Sequence, residues 1–171
     1  DMDKAVDWLR EKGLAKAAKK AGRIAAEGVA YATVIDGVGV VIEVNSETDF
    51  AAKTDKFLDL VKSLSEIVAK DAPADVEALK ACTYPGTNLT VTEKMQELVM
   101  SIGENMQIRR FNRFADNTSV AYVHMGGTHG VLVNLEADVD ATEIGKNVAM
   151  QIAAMNPKYW DKAQVPQEDV D

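Results

Sequence analysis

Two stretches of this chain recur at one offset, and that recurrence limits the folds open to it. Val29-Ala30-Tyr31 returns as Val120-Ala121-Tyr122, and Gly39-Val40-Val41-Ile42 returns as Gly130-Val131-Leu132-Val133, both 91 residues on. In the first copy two β-branched runs, Val29 to Ile35 and Val38 to Val44, flank Asp36-Gly37. Both turn residues tolerate positive φ, so the pattern predicts a tight β-hairpin. In the second copy Met125-Gly126-Gly127-Thr128 takes the place of that turn. Each hairpin is followed by helical spacing. A repeat of this length is a duplicated hairpin-and-helix unit and not a solenoid array.

The helices have readable ends. Thr54 is placed to N-cap a helix whose Phe57, Val61, Leu64, Ile67 and Val68 share one face. Thr90 and Glu93 form a capping-box pattern ahead of a second helix, with a stripe of Met95, Leu98, Val99, Ile102 and Met106. Between them residues 70–91, with Pro73, Pro85 and Gly86, read as turns. Gln107 to Phe114 reads as a strand with neither face cleanly apolar. In the second copy Ala141 to Met155 predicts a helix with Ile144, Val148, Ile152 and Met155 inside, stopped by Asn156-Pro157. At the front, Ala5, Val6, Trp8 and Leu9 are helically spaced up to Gly13, a plausible stop, and residues 14–27 read as a helical linker. The fold class expected is α+β: two related subdomains, each an antiparallel hairpin or sheet packed with helices, at 28–115 and 116–171.

Composition excludes several functions. The formal net charge of -8 repels phosphate backbones, so strong nucleic-acid binding is not expected. Two basic stretches, 16–23 and 109–113, keep open an alternative as an RNA-associated translation or ribosomal protein. No apolar run is long enough to span a membrane, and no signal peptide is visible. The lone Cys82 fits a reducing, cytoplasmic setting. The two histidines, His124 and His129, make no metal-site spacing, and no nucleophile motif or phosphate-binding loop occurs. Neither a catalytic set, a cofactor site nor a metal site is expected, and the chain is not expected to bind a nucleotide itself.

Three places stand out. Thr48-Asp49-Phe50 sets an aromatic residue in a polar segment between a strand and a helix. Phe50 either folds back on the core as a helix staple or is presented for binding. The second copy keeps hairpin and helix but has Ala141 where the first has Phe50. Ile102-Gly103 puts a glycine in a helical pattern, which marks either the helix end or a partner's close approach. His124 ends a predicted strand.

Leu14 to Ala21, Glu43 to Lys53, Ile102 to Arg110 and Ile152 to Pro157, taken in order, resemble the bacterial-type elongation factor Ts family. The likeness runs over essentially the whole chain. It implies a guanine-nucleotide exchange factor that promotes GDP release from the GTPase elongation factor Tu, without covalent chemistry. In the family an Asp-Phe tip enters the GTPase near its magnesium site and displaces the helices that support metal and phosphates. By motif, Thr48, Asp49 and Phe50 would form the tip, while Ile102, Gly103 and His124 would dock on the partner. The resemblance also implies that residues 1–13 are the last helix of an N-terminal, UBA-like helical domain, and that elements following Asp171 are missing.

Overall fold

The computed structural model describes residues 1–169. The first hairpin forms where the β-branched runs and the turn require it. Strands β1 (Glu27–Ile35) and β2 (Val38–Ser46) pair antiparallel from Ile35↔Val38 to Glu27↔Ser46. Asp36 and Gly37 both take positive φ, 50° and 82°, the geometry a two-residue hairpin turn needs. Strand β3 (Met106–Phe114) joins the other side of β2, giving the order β1-β2-β3. A bulge explains why β3 reads ambiguously. Val44 pairs with Ile108 while Glu43 pairs with Arg110, so Arg109 is the extra residue. The inward phase therefore changes from Met106 and Ile108 to Phe111 and Arg113, opposite the buried Ile42 and Val40. The inward-phased Arg113 is satisfied: its guanidinium donates to the Ala69 carbonyl from Nε (3.2 Å) and Nη2 (3.0 Å).

Helices on this sheet build the core. Helix α3 (Asp55–Asp71) is capped by Thr54, and its Phe57, Leu60, Val61, Leu64 and Val68 are fully buried with Val40, Ile42 and Val44. Helix α5 (Val91–Ile102) begins at the Thr90–Glu93 capping box and buries Val91, Met95 and Val99. Met106, expected in that stripe, instead opens β3, because Gly103 ends the helix in the left-handed region at φ 91°. Residues 70–91 are not turns alone. Asp75 caps a short helix α4 (Val76–Ala81) that buries Leu79; six residues are too few for periodicity to reveal. The expected stop at Gly13 is also corrected. Helix α1 (Met2–Lys20) runs through it and ends at Lys20, and residues 21–26, expected as helical linker, instead turn the chain toward β1. Gly13 lies against the Met100 side chain where α1 meets α5, and one helical glycine costs only about 1 kcal/mol.

The second unit is a two-stranded sheet, β4 (Thr118–His124) with β5 (His129–Leu135), closed by the four-residue turn Met125–Thr128. The repeat holds in residues but not in register. Val29 faces Val44, whereas its counterpart Val120 faces Val133, the counterpart of Ile42. A shift of two residues leaves every side chain on its original face. Helix α6 (Thr142–Met155) packs on this hairpin through Gly145 and Ala149, with Ile152 and Ala153 beside them. Of the expected inner face only Ile152 holds: Ile144 and Met155 are 61% and 66% exposed, and Val148 also faces outward. A Cβ on Gly145 would come within 2.6 Å of Val120 Cγ2, so only the small-residue side of α6 fits that close to the strands. The helix does stop at Asn156, in the left-handed region.

The two sheets meet through glycines. Gly39 abuts Ser119 and Leu132, Gly130 abuts the Ala30 backbone, and the amide of Ala30 on edge strand β1 donates to the Gly127 carbonyl at 2.8 Å. The architecture is α+β, two antiparallel sheets each packed with helices.

Candidate functional site

Where β2 ends, the chain makes one helical turn, α2 (Asp49–Ala52), before α3 begins. Thr48 is its N-cap, in extended conformation, with Oγ1 accepting from the Ala51 amide at 3.3 Å. Ser46, fully buried, donates from Oγ to the Thr48 carbonyl at 2.8 Å. Ala51 and Ala52 are buried and fix the inner side of the turn. Phe50 points the other way and is 80% exposed. It is not a core staple: it stands free on an anchored turn. Its counterpart Ala141 is only 4% exposed.

Asp49, the first residue of α2, accepts a 2.6 Å ion pair from Lys53 four residues on. The Lys53 hydrogen bond holds the Asp49 carboxyl below its ordinary value; desolvation opposes it, and the Lys53 charge and the Asp49 and Phe50 amides add to the lowering.

The tip is tied to the α5–β3 turn by a reciprocal clasp. The Thr48 amide donates to Glu104 Oε2 at 2.9 Å, and Thr48 Oγ1 donates to Glu104 Oε1 at 2.7 Å. In return, the Asn105 amide donates to Glu47 Oε1 at 2.7 Å. Asn105 is buried, and its Nδ2 donates to the carbonyls of Arg23 (2.7 Å) and Ala21 (3.4 Å). Lys20 donates to the Gly103 carbonyl, and Arg23 pairs with Glu47 at 3.5 Å. The α1–β1 loop, the tip and the α5–β3 turn thus form one polar junction.

The residues singled out in sequence therefore divide into two groups. Thr48 and the Ile102–Gly103 corner are brought together through Glu104, with Ile102 half-buried against the core and Gly103 serving as helix cap. A methyl on Gly103 would meet only Lys20 Nζ, at 3.9 Å, so nothing within the chain crowds it. His124 lies elsewhere, at the end of β4. Its Nδ1 is 2.9 Å from Tyr122 Oη, and its ring meets that of His129 edge-on at 5.9 Å. The adjoining turn rests on β1 at Val29 and Ala30, the strand that α2 also packs against. Sequence reasoning gave no role to Glu47, Glu104 and Asn105, which tie these segments together. No spacing could have flagged Glu104 and Thr48, which are 56 residues apart.

The arrangement holds no group of three or more His, Cys, Asp or Glu suited to a metal among the described residues. No described helix is long and apolar enough to cross a membrane. Within the basic stretches Arg110 pairs with Glu43 at 2.7 Å and Arg109 with the same carboxylate at 3.7 Å, beside the Arg113, Lys20 and Arg23 contacts above.

A family model described as Elongation factor TS matches residues 47–171, beginning within the clasp and covering the tip. The chain belongs to the elongation factor Ts family. Relatives of that name agree along its whole length. The chain is 42% identical to the Elongation factor Ts of Magnetococcus marinus over 98% of its own length and 57% of the relative's. For the proteins of the same name from Halothermothrix orenii and Pediococcus pentosaceus the identities are 45% and 47%, over 98% and 100% of this chain and 58% of each relative. The chain thus spans less than two thirds of the length of these family members.

Proposed function

We propose that this chain is the part of a guanine-nucleotide exchange factor that drives GDP release from elongation factor Tu, with Asp49 and Phe50 as the inserting tip. The observation that carries this reading is the presentation of Phe50: a large aromatic, mostly exposed, on a turn whose other side is buried and capped. Exposed aromatics on rigid supports are what binding hot spots are made of. Membership of the elongation factor Ts family supplies the partner. The nucleotide is held by the GTPase and not by this chain, and the reading places the protein in the cytoplasm with the translation machinery. The unit at 28–115 carries the tip together with Ile102 and Gly103, and the unit at 116–171 contributes His124 as a second docking point.

The mechanism is linkage and involves no covalent step. A tip that disorders the GTPase's magnesium and phosphate supports weakens GDP binding, and bound GDP must then weaken factor binding by the same ratio. GTP entry completes the cycle by expelling the factor.

The test is release of fluorescent GDP from elongation factor Tu with the chain and with its Phe50→Ala variant. The parent should accelerate release and the variant should lose most of that acceleration. A parent that leaves release unchanged overturns the proposal.

A further inference from the structure

We infer that Glu104 is a positioning residue for the tip, acting through Thr48 on Phe50, and that the Glu47–Glu104 clasp sets the maximal rate of exchange and not the strength of docking. This rests on the exchange-factor reading above and names how its tip is held.

A helix of four residues cannot hold its own direction, because nucleation is not repaid over so short a length. The orientation of Phe50 must come from outside α2. Two sources are visible. The buried Ala51 and Ala52 fix depth, and the bonds at Thr48 fix direction. Glu104 takes both donors of the capping residue, amide and hydroxyl, at 2.9 and 2.7 Å. Glu47, the residue just before the cap, returns the grip by accepting the amide of Asn105, the residue just after Glu104. Each carboxylate therefore holds the backbone beside the other, and charge-assisted bonds are about twice as strong as neutral ones. Asn105 extends the hold to the α1–β1 loop through the carbonyls of Ala21 and Arg23. A tip already aimed before docking leaves less of the exchange barrier to orientation. Glu104 itself points at Thr48 and not outward, so its removal deletes none of the side chains Phe50, Ile102 and His124 and changes only how Phe50 is aimed.

The experiment compares Glu104→Ala and Glu104→Gln with the parent chain in two measurements. The first is amide hydrogen exchange on the chain alone. Glu104→Ala should speed exchange at Thr48 by about tenfold, the loss of one charge-assisted bond, while amides of helix α3 keep their rates. The second is GDP release from elongation factor Tu against chain concentration. Glu104→Ala should lower the maximal rate by about tenfold, as misplaced groups do, with the half-saturating concentration moving less than about twofold. Glu104→Gln can accept from the Thr48 amide and donate to its hydroxyl, so it should recover most of the rate. Unchanged Thr48 exchange in Glu104→Ala overturns the clasp whatever the partner does. Faster Thr48 exchange with an unchanged maximal rate overturns the positioning role. A rise in half-saturating concentration alone reassigns Glu104 to docking and overturns it too. No acceleration by the parent chain defeats the exchange reading itself, a result distinct from each of these.

Discussion

Gly130 lies so close under Ala30 that a methyl group built on it would sit 2.8 Å from both the carbonyl carbon and the oxygen of Ala30. Backbone cannot swing aside as a side chain can. Gly130→Ala should therefore destabilise the chain by about 1–3 kcal/mol, the usual cost of overpacking. Gly22→Ala is the control: it meets nothing within 4 Å and has no positive φ, so stability should hold or rise slightly. Urea denaturation of the two variants decides it, through a lowered midpoint in the first alone.

Phe50 and Phe57 bracket the two fates of an aromatic in this segment. Phe57 is fully buried in the core and Phe50 is almost fully exposed. Phe57→Ala should cost about 3–5 kcal/mol, while Phe50→Ala should stay within about 0.5 kcal/mol of the parent. Thermal unfolding followed by circular dichroism separates them. A comparable loss in both would mean that Phe50 packs in solution.

Arg113 reaches the Ala69 carbonyl near the C-terminal end of α3 with two nitrogens of one guanidinium. There the helix leaves carbonyls without partners and carries partial negative charge. Arg113→Ala should cost about 1.5–3 kcal/mol, the range for bonds to a charged group. Arg113→Lys should restore only part, since an ammonium lacks the planar fork. Chemical denaturation of both variants gives the comparison.

Asp49 offers a pH test. Its carboxyl titrates below the ordinary value chiefly because Lys53 bonds the charged form. A depressed folded value means that the Asp49–Lys53 contribution is present above the ordinary carboxylate value and fades as pH falls through the lowered one. Carboxyl NMR titration should place the Asp49 midpoint below that of an unpaired aspartate, and Lys53→Ala should move it up. An unmoved midpoint would assign the shift to the local amides.

What could be read from residues alone was whatever is local in the chain. Asp36-Gly37 sets its own hairpin, Thr54 caps its own helix, and Thr90 with Glu93 closes its own box. What failed depended on distant neighbours. The inner face of α6 is chosen by the closeness of Val120 and Leu135, which turned Gly145 and Ala149 inward in place of Ile144. The bulge at Arg109 is invisible until β3 lies beside β2. The outward aim of Phe50 needed the buried Ala51 and Ala52, and the Glu47–Glu104 clasp needed two segments to meet.

The repeat also has a consequence for how such a chain can change over time. In the second copy α6 runs unbroken through Ile144 and Gly145, the counterparts of Lys53 and Thr54, where the first copy stops α2 and starts α3 afresh under a new cap. That interruption uncouples two selective demands. Substitutions can reshape the short turn around Phe50 without twisting the long helix that fills the core, so the exposed end can change while the scaffold stays as it was.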